Sequence, residues 1–176
     1  METYQMNTKL LRYLRNEFEN PSLTYITALQ PLKGGFDTAI FSFQLQGDDF
    51  PLTGPLVMRL YSGNHATGVA AWESGIQNAV EKAGYPAPEV LLLCEDKSVL
   101  GGEFYIYKMI PGVPLMYVSP DEVPQRMGES HAELHELDPQ LVIELMKASG
   151  FSNVGTNYEY ALGEMVEFAH SHAWAM

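Results

Sequence analysis

The sequence predicts an α+β fold: a strand-rich first part, a proline and glycine hinge, and a helical remainder. Two-residue alternation dominates the stretch from Thr24 to Ile110 and is interrupted by one long pattern of helical period. The run Pro111-Gly112-Val113-Pro114 then breaks the chain, and beyond it apolar residues recur at helical spacing only. Strands grouped ahead of helices point to α+β packing rather than a parallel doubly wound sheet.

Each element has its own signal. Leu10, Leu11, Leu14 and Phe18 make a helical stripe over residues 8–18, with Asn7 or Thr8 as a cap and Asn20-Pro21 as its end. Thr24 to Leu32 alternates as a strand, Lys33-Gly34-Gly35 turns the chain, and Phe36 to Gln46 alternates again, which makes a hairpin. Leu56 to Tyr61 reads as a third strand with one charge, Arg59, inside an apolar run. Ala66 to Ala83 reads as a helix with Val69, Trp72, Ile76 and Val80 on its apolar side, stopped by Gly84 and Pro86. Val90 to Cys94 and Phe104 to Ile110 are two further strands, joined through a polar turn at Glu95 to Ser98 and Gly101-Gly102. After the hinge, helical spacing covers residues 121–137, 141–147 and 158–174. The last pattern meets no stop signal, so the chain reads as cut rather than finished.

Bulk properties exclude several classes. The chain has 176 residues and a hydrophobic content of 46%, ordinary for a folded protein. Its formal charge is −12, and its ten basic residues are scattered singly, so nucleic acid is excluded as a partner on electrostatic grounds. The acidity fits solubility and, more weakly, a cationic substrate. No apolar run approaches the roughly 20 residues of a membrane span, and the N-terminal residues lack a signal-peptide pattern. A single cysteine, Cys94, rules out an intrachain disulfide and suggests a reducing, cytoplasmic setting.

Arg59 is the most informative candidate. A charge in an apolar strand is costly unless it is paired or presented to a ligand. Glu73, on the following helix, is placed to pair with it. The alternative is an arginine whose stem packs while its guanidinium reaches solvent, and the residues alone leave both readings open. Gly34-Gly35 allows backbone amides to approach a phosphate closely, although most such pairs are simply turns. His131 and His135 are four apart on a helix, but no third ligand follows at a metal-binding spacing, so a structural helix is the reading. Cys94 has no basic neighbour in sequence and reads as a buried, inert thiol. No G-x-S-x-G nucleophile elbow is present.

The order of these features is itself informative. Leu32-Lys33-Gly34-Gly35-Phe36-Asp37, then Leu56-Val57-Met58-Arg59-Leu60, then Trp72-Glu73, resembles the N-terminal lobe of the aminoglycoside phosphotransferase and choline kinase-like family. Gly84 to Val90 is similar to that family's link into the fourth strand, and Gly101 to Gly112 to its fifth strand and hinge. Met127 to Asp138 resembles the helix that opens its second lobe. The resemblance implies a protein kinase-like fold, with a five-stranded antiparallel sheet and one main helix followed by helices of an incomplete second lobe. It divides the chain into a nucleotide-binding lobe at 1–111 and a helical segment at 112–176.

It implies ATP with magnesium as cofactors and a small-molecule hydroxyl as acceptor. Gly34 and Gly35 would lie over the phosphates, Arg59 would contact them, and Glu73 would hold Arg59. The backbone near Tyr107, Lys108 and Met109 would meet the adenine edge. Three departures accompany the resemblance. Arg59 stands where lysine is commoner, and the two are not interchangeable. Thr38 stands where asparagine often follows the Gly-Gly-x-Asp run. The His-Gly-Asp catalytic loop and the later magnesium-binding aspartate are absent, and no Asp has Asn five residues on. Phosphoryl transfer needs a positioned hydroxyl and a metal at the phosphates, so the chain is expected to bind nucleotide at most, without turnover. The alternative expectation is a non-catalytic kinase-like module that self-associates or binds another protein through an uncovered lobe surface.

Overall fold

The structure is a computed structural model that describes residues 3–33, 37–50, 52, 54–63, 65–113, 117–152 and 154. Helix α1 spans Thr3–Glu17 and is followed by strands β1 (Thr24–Leu32), β2 (Ala39–Gln46) and β3 (Leu56–Ser62). Helix α2 (Val69–Lys82) leads to β4 (Val90–Cys94), the short α3 (Lys97–Leu100) and β5 (Gly102–Lys108). Among the described residues two helices follow β5, α4 (Val123–His135) and α5 (Pro139–Ala148). The predicted helix at 158–174 lies outside the described residues.

The strands form one five-stranded antiparallel sheet in the order β1-β2-β3-β5-β4. The predicted α+β architecture is therefore the observed one. β1 is an edge strand, which accommodates Pro31 and two register irregularities without breaking a central ladder. β3 is the middle strand, so Arg59 sits between β2 and β5 rather than at a margin.

Alternation divides the sheet into two faces. Leu56, Met58 and Leu60 of β3, with Phe104 and Ile106 of β5, join Leu10 and Leu14 of α1 in the main core. Fully burying such a leucine contributes roughly 1.5–3 kcal/mol. The opposite face carries Arg59, Tyr61, Glu103 and Tyr105, and α2 lies against it, with Ala70 packed on Tyr61 and Tyr105.

Several boundaries and contacts differ from the sequence reading. Helix α1 begins at Thr3, because Asn7 and Thr8 donate their side chains back to the carbonyls of Thr3 and Tyr4 inside the helix instead of capping it. Helix α2 begins at Val69, after Gly68 takes a left-handed φ of 89°. The turn at 95–98 contains the start of α3, capped by the Asp96 carboxylate, which accepts from the Ser98 amide at 2.8 Å. The buried positions of α2 are Ala70, Ser74 and Ala79, not the expected Trp72 and Ile76 stripe. Trp72 instead meets Phe151 edge to face, with ring centroids 5.7 Å apart. Gly75 leaves room for that ring, since a Cβ there would lie 2.4 Å from Phe151. Helix α5 packs on the same helix.

Cys94 is buried on β4, and burial pushes its thiol above the ordinary range. In the native protein it should therefore resist alkylation at neutral pH and react only on unfolding, which a timed iodoacetamide reaction followed by mass measurement would check. The sheet makes a second prediction. A Cβ on Gly102 would lie 2.2 Å from the Tyr61 carbonyl oxygen, a backbone atom held in the β3–β5 ladder. Gly102→Ala should lower stability by about 1–3 kcal/mol, measured as a reduced denaturant midpoint with an unchanged slope.

Candidate functional site

The candidate site is built on three elements. β3 supplies Arg59 and Tyr61, two residues apart and so on one face. β5 runs antiparallel beside it and sets Tyr105 opposite Arg59 and Glu103 opposite Tyr61. α2 brings Glu73 down onto this face.

The predicted pair forms: Arg59 Nη1 lies 3.0 Å from Glu73 Oε2. Both side chains are about a third exposed (34% and 36%). By itself an ion pair so open to water contributes only about 0–1 kcal/mol. Its geometry is fixed by other groups. Tyr61 donates its hydroxyl to the same Glu73 oxygen. Arg59 Nε donates to Thr38 Oγ1 at 3.1 Å, and Nη1 approaches the Tyr105 hydroxyl at 3.5 Å. The guanidinium carbon also stands 5.3 Å from the Tyr61 ring centroid, a cation–π distance.

Burial works against the Arg59 charge, yet Tyr105, Tyr61 and Glu73 outweigh it and hold the guanidinium above its ordinary value. Burial, reinforced by the bond to Glu73, pushes the Tyr61 hydroxyl far above the ordinary tyrosine range. Tyr61 therefore stays a proton donor to the carboxylate, and Arg59 stays a cation. Tyr105 and Tyr107 extend the aromatic wall along β5, with ring centroids 5.7 Å apart, and burial raises the Tyr107 hydroxyl as well.

Other expected residues have different placements. Gly34 and Gly35 lie outside the described residues. The chain just after them is tied to the site, because His65 Nε2 pairs with the Asp37 carbonyl at 2.8 Å while its ring packs against Tyr61. At the hinge, the Lys108 amide donates to the Glu89 carbonyl and the Met109 amide to the Pro55 carbonyl. Those two donors are thus engaged within the protein, and the Lys108 ammonium pairs with Glu89 at 2.6 Å.

Sequence reasoning missed Tyr61, Tyr105 and Glu103, and treated Thr38 only as a departure. Tyr61 had one legible signal, its place two residues from Arg59. His131 and His135 lie on the exposed surface of α4, and among the described residues no three His, Cys, Asp or Glu gather as a metal site. A hollow of about 250 Å³ lies between α2, β4 and the chain after α5, but none of its lining residues is titratable. The chemistry belongs to the open face around Arg59.

This arrangement can hold an anion. Thr38 takes the Arg59 Nε–H and Glu73 meets Nη1, and among the described residues Nη2 has no hydrogen-bond partner, which leaves donors for an acceptor such as a phosphate oxygen. Among the described residues Glu73 is the carboxylate at Arg59, and it is occupied by Arg59 and Tyr61.

The fold is a five-stranded antiparallel sheet with helices, and it carries an ion-paired cation on its central strand. The sequence model of the phosphotransferase enzyme family (APH) matches residues 28–168, well over half of the chain. The protein belongs to the phosphotransferase enzyme family. Among solved structures it is similar to a Ralstonia eutropha protein provisionally named an aminoglycoside phosphotransferase, with a TM-score of 0.54 and 20% identity. That similarity covers 93% of this chain and 46% of the other, and it shows the shared fold. Acyl-CoA dehydrogenase family member 11 of Gallus gallus is 38% identical over 73 residues, which is 38% of this chain and 9% of that protein. The Pongo abelii protein of the same name is 32% identical over 94 residues, 49% of this chain and 11% of that protein. The chain thus spans under half of the solved structure and about a tenth of these relatives.

Removing the Tyr61 hydroxyl should loosen Glu73 while leaving the ring under Arg59. Tyr61→Phe is expected to destabilise the protein by about 1 kcal/mol. It should also raise the mobility of the Arg59 side chain, read from the relaxation of its Nε–H signal.

Proposed function

We propose that this chain carries the nucleotide-binding lobe of an ATP-dependent phosphotransferase acting on a small-molecule hydroxyl. The supporting observation is the Arg59–Glu73 pair at 3.0 Å, set on the central strand of the sheet and held there by Thr38 and Tyr61. Arg59 would bind phosphate oxygens, and Glu73 and Thr38 would orient it. Tyr105 and Tyr107 would form an apolar wall beside the nucleotide. The Gly34-Gly35 turn would approach the phosphates. Near Tyr107, Lys108 and Met109 the adenine edge would be met by carbonyl oxygens and by amides beyond the two already engaged.

ATP, when bound, supplies the phosphoryl group. The described residues do not fit a magnesium site, because Glu73 is the one carboxylate placed at Arg59 and it is already paired. The sequence offers no Asp after His-Gly and no Asp with Asn five residues on. No transfer step is therefore assigned to these residues, and the reading is nucleotide binding without turnover. The single buried cysteine and the absence, among the described residues, of a helix fit to cross a membrane accord with a cytoplasmic setting.

A second reading has its own observation. Helix α4 buries none of its residues and exposes Met127 and Leu134, seven apart on one stripe. An uncovered apolar stripe favours a module that meets another chain or a second copy.

Calorimetric titration with ATP and magnesium tests the first reading. The native chain should bind, and Arg59→Ala should weaken binding by about tenfold or more, the loss of a charge-assisted contact. A folded native chain that takes up no nucleotide would sink this reading in favour of the second. Sedimentation of Met127→Lys beside the native chain then decides the second, which expects a concentration-dependent species lost in the variant.

A further inference from the structure

Glu103 takes no part in the ion pair described above, yet it is among the most buried side chains of the protein, at 1% exposure. It sits on β5 opposite Tyr61, on the face against which α2 lies. A carboxylate withdrawn from water is costly unless its oxygens are satisfied. Here Oε1 accepts from the Gly68 amide at 2.9 Å, and Oε2 accepts from Gly68 at 3.1 Å and from the Ala70 amide at 3.3 Å. The Lys97 ammonium stands 3.7 Å from Oε1 and also donates to Thr67 Oγ1 at 3.0 Å.

These amides belong to the start of α2. Its cap residue is Gly68, which has no side chain to satisfy them. A strand residue therefore supplies the cap that the local sequence lacks. The middle of α2 is held separately: Asn78 exchanges two hydrogen bonds with Val90, and Gln77 donates to the Pro88 carbonyl. At the first turn the hydrogen bonds to the sheet come from Glu103, beside the packing of Ala70 on Tyr61 and Tyr105. Glu73 lies one turn beyond it, and a shift of that turn moves Glu73 relative to Arg59.

We propose that Glu103 is a positioning residue: it latches the first turn of α2 to β5, so that Glu73 meets Arg59 before any ligand arrives. The inference rests on the nucleotide-binding reading, since a cation held in place in advance is what an incoming phosphate would find. Glu103 touches no nucleotide. It acts through Gly68, Ala70 and the helix that carries Glu73.

The test uses the full chain with E103Q, E73Q and the double variant. Without nucleotide, the readouts are hydrogen exchange at the Gly68 and Ala70 amides and the position of the Arg59 Nε–H signal. E103Q loses the charge and one acceptor oxygen, and the weakened latch should speed exchange at both amides and move the Arg59 signal toward its position in E73Q. With ATP and magnesium, E103Q should weaken binding by about three- to tenfold. In the E73Q background the same change should weaken it no further, because the two residues act in series. Effects that multiply in the double variant, or an Arg59 signal unmoved in E103Q, would overturn the proposal. If the native chain binds no nucleotide, the reading above fails while the exchange and Arg59 signals still decide the latch. Should E103Q not fold, E103D keeps the charge with a shorter reach and is expected to shift the same signals in the same direction.

Discussion

The cation in the middle of the sheet constrains the rest of this structure. Arg59 occupies the central strand, between neighbours whose side chains on the other face are fully packed. Its charge is tolerated there because the side chain is about a third exposed and meets a carboxylate, a hydroxyl and an aromatic ring. Tyr61 and Thr38 are its neighbours, and Glu73 reaches it from α2, so the placement of the first turn of α2 matters. The pair itself is too exposed to contribute much stability. What it provides is direction: the guanidinium points one way, with donors left for an acceptor.

Stability comes from the opposite face. Alternation along β3 and β5 sends Leu56, Met58, Leu60, Phe104 and Ile106 into a core closed by α1. The same alternation sends Arg59, Tyr61, Glu103 and Tyr105 to the side of α2. A two-residue period thus separates the part that holds the fold from the part that meets a ligand. The polar face is affordable because the apolar face is complete, and its groups are satisfied: among the described residues no buried side-chain nitrogen or oxygen lacks a hydrogen-bond partner.

Membership of the phosphotransferase family and the local chemistry agree without being redundant. The family match says to which family the chain belongs. The geometry says how this chain builds it, with arginine forked between threonine and glutamate, a tyrosine donating to that glutamate, and a strand carboxylate capping the helix. The lysine–arginine departure matters here, because a point-charge ammonium could not reach Thr38 and Glu73 from two separate nitrogens.

Much of this was legible in the residues alone. Alternation gave the strands, and glycine and proline marked the end of α2. A lone charge in Leu-Val-Met-Arg-Leu-Tyr with Glu73 on the next helix offered the ion pair as one of two readings, and the structure forms it with both partners about a third exposed. Tyr105 and Glu103 were not legible, because cross-strand neighbours depend on register, which periodicity does not specify. Nor was the orientation of α2. Its large residues suggested a core stripe, but the sheet face beneath it is already filled by tyrosines. Small Ala70 fits there, and Trp72 turns instead toward Phe151. By itself the sequence determined which residues must be buried, turned or paired, since those are local consequences of chemistry and spacing. Tertiary structure alone decided who meets whom, because strand register and helix placement are settled by the packing of the whole sheet.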